Sequence, residues 1–183
     1  MTSSGAKKSI CFIVALVVVM SAISSSAQKP VKRNVKQYKG AWFSAEYPSS
    51  FKVRPSMRSL SDSEGYDSAC FESPDGTVEF YVFSPWPPVE YDISVPADIV
   101  LNFSSEKIVS ETTDKAGDRT IKSYTIKAND GSYSRSYQMS MDNMNDPPAV
   151  FLVVGIKYKD KASYDKYKKQ YIAFKKSIVQ YAD

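Results

Sequence analysis

The chain has 183 residues, a formal net charge of +4 and no histidine. Without histidine it cannot form Ser-His-Asp or Cys-His catalytic arrangements or histidine-ligated zinc sites. Its seven glycines are scattered singly and form no phosphate-cradling motif. The small positive charge does not indicate a nucleic-acid partner.

Residues 1–27 have the pattern of a secretory signal peptide. Two lysines precede an apolar run that extends at most from Ile10 to Ile23, which is shorter than the roughly 20 residues that a membrane-spanning helix needs. Small residues then lead to Ala27 and Gln28, where we expect cleavage. The pattern predicts a protein exported to the periplasm or the cell exterior without a stable membrane anchor, and an uncleaved N-terminal anchor is the alternative.

The remaining 156 residues are enough for one domain. Residues 28–39 are basic and show little periodicity, which predicts a flexible tether, and residues 40–183 then form a single α+β domain. Charge is uneven, because Leu60–Asp118 holds 13 acidic residues and two lysines, whereas segments 28–40 and 157–176 are basic. This polarity is consistent with a charged docking face or with ordinary solvated surfaces.

The first predicted elements are strands. Residues 41–53 form two short strands separated by a break at Tyr47-Pro48. Residues 66–72 and 77–83 form a hairpin around the turn Ser73-Pro74-Asp75-Gly76. Cys70, the only cysteine after residue 27, cannot form an intramolecular disulfide, and we expect a small buried apolar side chain rather than a reactive thiol.

The middle of the chain begins with a loop at residues 84–92, because three prolines exclude a helix or a central strand. A short helix is predicted from Ser94 or Val95, with Pro96 in its first turn and Ile99, Val100 and Phe103 on its apolar side. A strand at residues 107–113 follows.

The C-terminal third predicts a hairpin, a central strand and a helix. Residues 120–128 and 132–141 flank Asn129-Asp130-Gly131, a strong hairpin signal, and the second of these strands alternates strictly between serine-rich and bulky faces. Residues 150–158 are apolar on both faces, which is typical of a central strand. Aromatic residues recur at helical spacing from about Ser163 to Tyr181, so a closing helix should pack on the sheet.

This order of elements resembles the Mog1/PsbP-like fold. The resemblance covers most of residues 37–181 and includes a Phe-x-x-x-Tyr-Pro-x-x-Phe motif at the start of the fold, formed by Phe43, Tyr47, Pro48 and Phe51. It implies an α+β fold in which an antiparallel β-sheet is flanked by helices as an α/β/α sandwich. Members include thylakoid-lumen subunits of photosystem II, a Ran-binding protein and bacterial exported proteins of unassigned role, so the resemblance implies a non-catalytic interaction module. No functional residue of the family matches a position here.

The candidate interaction surface is the proline-rich loop at Trp86 together with Tyr81, Phe83 and Tyr91. Prolines stiffen the loop, and exposed tryptophan and tyrosine are favoured at interfaces. The partner would be a protein or a small ligand, and we expect a monomer without cofactor or metal. The alternative for Trp86 is a structural role as a lid on the core.

A small hydrolase is the alternative function. It would use a carboxylate pair or a Ser-Lys dyad, and the spacing Ser-x-x-Lys occurs at Ser49, Ser104 and Ser163, about as often as chance predicts. It predicts a cleft that contains a carboxyl or lysine with a perturbed pKa.

Overall fold

The architecture is taken from a computed structural model that describes residues 34–86, 99–142 and 151–181. These residues form ten strands and one helix, in the order β1 Val35–Lys39, β2 Phe43–Pro48, β3 Lys52–Pro55, β4 Ser68–Glu72, β5 Val78–Phe83, β6 Glu106–Ala116, β7 Arg119–Ala128, β8 Ser134–Asp142, β9 Phe151–Tyr158, α1 Lys161–Ser177 and β10 Val179–Gln180. In this part of the chain, no helix is long and apolar enough to cross a membrane.

The strands form two antiparallel sheets. The larger has the order β3-β4-β5-β9-β8-β7-β6, and the smaller has the order β1-β2-β10. Strand β9 lies fourth of seven, which confirms the central strand predicted from its two apolar faces. The hairpins β4–β5 and β7–β8 are also confirmed, and Gly131 supplies the positive φ of +76° in the second turn.

One face of the large sheet is covered by α1. Phe174 of the helix contacts Phe71 and Phe80, with ring centroids 5.0 and 5.3 Å apart. The helix begins at the N-cap Asp160, whose side chain accepts a hydrogen bond of 2.8 Å from the Ser163 N–H. The aromatic residues of α1 are therefore core, as their spacing predicts.

The other face holds a second buried cluster that includes Tyr81 and Tyr137, whose rings stack at 5.5 Å. Arg135 forms a buried salt bridge with Glu106, and its guanidinium lies 4.5 Å from the Tyr137 ring centroid. Burial opposes ionisation of Glu106, but hydrogen bonds from the Asn102 N–H, the Tyr133 hydroxyl and Arg135 outweigh it and lower the Glu106 pKa. This network ties the segment before β6 to the sheet.

The expected flanking by helices is not supported by the described residues, which contain one helix on one face of the sheet. Residues 94–98 of the predicted mid-chain helix lie outside the described ranges. Residues 99–105, which would have continued it, form turns, and Val100 and Leu101 cover the second cluster instead. The closing helix ends at Ser177 rather than Tyr181, because Ile178 is extended and β10 pairs with β2.

The predicted tether is also wrong over Val35–Lys39, which form β1 and pair with β2 along their whole length. Tyr38 explains the difference, because its ring packs 5.7 Å from Phe43 and 5.6 Å from Phe71. The basic composition of this segment concealed one apolar contact that fixes the strand. Residues 28–33 and the expected cleavage site at Ala27 and Gln28 lie outside the described residues.

Candidate functional site

The four candidate surface residues do not form one exposed surface. Tyr81 and Phe83 are only 8% and 1% exposed, so they belong to the core. Strand β5 is covered on both faces, by α1 on one side and by the second cluster on the other, which explains their burial. Tyr91 lies outside the described residues. Of the three candidates that the structure describes, Trp86 is the one that stays half-buried at the surface.

Trp86 contacts Trp42, and these are the only two tryptophans in the chain. Their ring centroids lie 6.1 Å apart at 47°. The Trp42 Nε1–H donates to Ser61 Oγ at 2.9 Å and to Ser59 Oγ at 3.3 Å, while the Ser61 hydroxyl donates to the Trp86 carbonyl oxygen. Hydrogen bonds through Ser61 therefore connect the Trp42 indole to the Trp86 backbone, and the two rings lie against each other.

A surface hollow of about 570 Å³ lies beside Trp42, between strand β1 and Tyr181, the residue that follows β10. Its lining residues are Gln37, Lys39, Ala41, Trp42 and Tyr181. The Tyr181 N–H donates to the Trp42 carbonyl oxygen at 2.9 Å, which holds these two lining residues next to each other. The hollow therefore presents the aromatic rings of Trp42 and Tyr181, the side-chain amide of Gln37 and the ammonium group of Lys39. We call the tryptophan pair together with this hollow the Trp42–Trp86 surface.

A buried carboxylate lies behind this surface. Asp67 is 6% exposed, and its Oδ1 has no hydrogen-bond partner among the described residues. Burial raises the pKa of Asp67 above its ordinary value, a hydrogen bond from Ser59 opposes the shift, and the nearby Asp62 carboxylate adds to it. The Asp67 carbonyl accepts the Ser84 N–H at 2.8 Å, which positions the segment that leads to Trp86.

The side chains proposed for a hydrolase make other contacts. The Ser163 hydroxyl donates to Asp160 at 2.8 Å, and Lys166 donates to Asp75 at 2.7 Å, so these two do not form a dyad. The hydrogen bond from Lys166 is the largest cause that lowers the pKa of Asp75, and hydrogen bonds from Ser73 and Thr77 add to it. Among the described residues, no group of three or more cysteine, aspartate or glutamate side chains could hold a metal ion.

Cys70 has the structural role expected from the sequence. It is 6% exposed and unpaired by any disulfide. Burial, and to a smaller extent the nearby Glu79 carboxylate, raise the pKa of its thiol to about 12. The side chain is therefore an apolar part of the second cluster rather than a nucleophile.

Sequence reasoning identified Trp86 but missed its contact with Trp42. The sequence places Trp42 in the opening strand, and nothing local signals its contact with a loop 44 positions later.

Comparison with known proteins bears on the fold. No protein-family model and no curated protein matches the sequence. The structure is similar to the solution structure of cyanobacterial PsbP (CyanoP) from Synechocystis sp. PCC 6803, with 8% identity, a TM-score of 0.50, and coverage of 86% of this chain and 99% of that one.

Two further structures are more distant. A crystal structure from Bacteroides thetaiotaomicron VPI-5482 has 15% identity, a TM-score of 0.46, and coverage of 82% of this chain and 50% of that one. The Ran-binding protein Mog1p of Saccharomyces cerevisiae has 7% identity, a TM-score of 0.41, and coverage of 81% and 96%. The CyanoP similarity supports the fold alone, and the chain has a Mog1/PsbP-like fold.

Proposed function

We propose that this chain is an exported, monomeric, non-catalytic interaction module whose Trp42–Trp86 surface binds a protein partner. The observation that carries the proposal is the pair of half-buried indoles held against each other at the surface. Tryptophan is enriched among the residues that dominate binding energy at protein interfaces. Export is supported by the N-terminal sequence pattern.

The arrangement is rigid before any partner arrives. Trp42 is held by two serine hydroxyls, and the Trp86 backbone is held by one of the same serines. Ordering side chains on binding costs about 0.5–1.5 kcal/mol for each flexible residue, and a surface that is already fixed avoids much of that cost. If Trp86 only covered the core, it would not need an exposed hydroxyl to hold it, whereas the Ser61 hydroxyl that donates to its carbonyl oxygen is exposed.

The CyanoP fold is compatible with this proposal but does not select the partner. The hydrolase alternative has less support, because the buried Glu106 carboxylate already binds Arg135 and the Asp67 carboxylate is covered. Neither group lies open to a substrate.

The test is a comparison of Trp86→Ala with Phe103→Ala. Phe103 is an exposed aromatic residue in the turn before β6, so its removal is a matched deletion outside the proposed surface. Each variant would be expressed in the native host, cross-linked in its own compartment and purified, and the covalently attached proteins would be quantified by mass spectrometry. Trp86→Ala should keep the wild-type circular dichroism spectrum and lose a protein that Phe103→Ala retains. An identical set of attached proteins for both variants would contradict the assignment.

A further inference from the structure

A second concave surface lies between the C-terminal half of α1 and strands β1 and β2. This cleft has a volume of about 760 Å³. Val35, Pro48 and Val179 contribute apolar surface to it, and the two valines are 43% and 54% exposed. Exposed apolar side chains that line a hollow, rather than a convex surface, are typical of a binding groove.

The positive charge of the cleft comes from the basic helix α1. Strand β1, which belongs to segment 28–40, contributes Val35 to the cleft, and both lysines that line the cleft come from α1 in segment 157–176. Lys169 and Lys176 line the cleft and are exposed.

The two cleft lysines are available for a ligand. Elsewhere on the helix, Lys161 pairs with Asp165 and Lys166 pairs with Asp75. Lys169 and Lys176 make no such ion pair within the described residues. Glu46 is the one acidic side chain among the described residues that line the cleft, so its net charge is positive.

The backbone around the cleft favours an extended occupant. On the helix side, the Ser177 hydroxyl accepts the Glu46 N–H at 2.8 Å and donates to the Phe174 carbonyl oxygen at 2.8 Å, which joins that edge of β2 to the helix. On the opposite side, β1 pairs only with β2 among the described strands, so an extended peptide can approach the cleft from that side and place alternate side chains in it.

We propose that this cleft binds an extended, acidic segment of a protein partner, with an apolar side chain inserted between Val35 and Val179 and carboxylates facing Lys169 and Lys176. A bilayer surface fits less well, because the apolar positions lie inside a hollow that a flat surface cannot fill. This inference does not depend on the Trp42–Trp86 surface.

The probe is a fluorescein-labelled peptide, Ac-EEELEIEEE-NH2, whose Leu and Ile share one face of an extended chain, and its binding to the full chain is measured by fluorescence anisotropy at low salt. The variant Lys169→Glu/Lys176→Glu should weaken binding about tenfold or more, because it replaces attraction with repulsion. The variant Lys107→Glu/Lys115→Glu makes the same change of net charge on exposed positions of β6 and should weaken binding less than about twofold.

Two further variants test the chemistry of the cleft. Glu46→Gln removes the one acidic group among the described residues that line the cleft. It should therefore tighten peptide binding, a change opposite in sign to that of the lysine variant. Val179→Ser should weaken binding of this peptide while leaving that of an all-glutamate peptide of the same length unchanged, because only the first has apolar side chains to insert.

Three results would overturn the proposal. The first is equal weakening by the two lysine variants, which would show attraction by net charge without a site. The second is the absence of saturable peptide binding. The third is lysine-dependent binding to vesicles of anionic lipid without binding of the peptide, which would assign the lysines to a membrane surface. Trp86→Ala should leave peptide binding unchanged, so failure here is separate from failure of the Trp42–Trp86 surface.

Discussion

Gly155 in the central strand β9 is the position where one added methyl group should cost most. A Cβ there would lie 2.1 Å from Cδ1 of Tyr137, about 1.3 Å short of the 3.4 Å at which ordinary contact begins. The Tyr137 ring is buried between the stacked ring of Tyr81 and the guanidinium of Arg135, so it has little room to move. Overpacking costs about 1–3 kcal/mol, and we expect Gly155→Ala to lie near the upper end, at about 3 kcal/mol.

The measurement is urea unfolding followed by far-ultraviolet circular dichroism, with Tyr137→Ala as the second arm of a double-mutant cycle. Removing the ring should destabilise the protein by itself, by about 3–5 kcal/mol if it behaves like other aromatic truncations. In that background Gly155→Ala should be neutral or stabilise by about 0.5–1 kcal/mol, because alanine loses less backbone entropy than glycine on folding. The same cost with and without the Tyr137 ring would refute the steric argument.

The other predictions concern buried polar and ionisable groups. Arg135→Met should lower the free energy of unfolding by about 3–5 kcal/mol, because the Glu106 carboxylate would stay buried without its cation. Adding Glu106→Gln should recover part of the loss. Equal urea midpoints for the single and double variants would contradict this. Burial raises the pKa of the Asp67 carboxyl, so the contribution of this group to stability is present below its unfolded pKa and is lost as the pH rises through its folded pKa. Asp67→Asn should therefore be more stable than the wild type at pH 7 and lose that advantage near pH 3. The Cys70 thiol, whose pKa is about 12, should not react with Ellman's reagent at pH 8 until the protein is unfolded, and fast labelling of the native protein would show that it is accessible.

Local patterns were enough to predict most of the large sheet. The Asn129-Asp130-Gly131 turn requires a positive φ that Gly131 provides, and the apolar residues on both faces of β9 fit only a covered, central strand. These features depend on residues that are close in sequence. They could therefore be predicted without knowledge of the rest of the fold.

The contacts that define the candidate sites join distant parts of the chain. Strand β1 depends on the packing of Tyr38 against Phe71, and the burial of Tyr81 depends on strands that follow it by more than 50 residues. The pairing of Trp42 with Trp86 depends on the loop serines between them. No local periodicity encodes such contacts, so the sequence identified one residue of the Trp42–Trp86 surface but not its geometry.

The central claim is that a partner binds at the tryptophan pair, and intrinsic fluorescence tests it most directly because Trp42 and Trp86 are the only tryptophans in the chain. A protein identified by the cross-linking comparison would be prepared with its own tryptophans replaced by phenylalanine and titrated into the wild-type chain. We predict a saturable change in emission, which persists with Trp42→Phe because Trp86 still reports it, and which is weakened at least about tenfold with Trp86→Ala. Saturable binding by anisotropy with no change in tryptophan emission would place the partner elsewhere and contradict the claim.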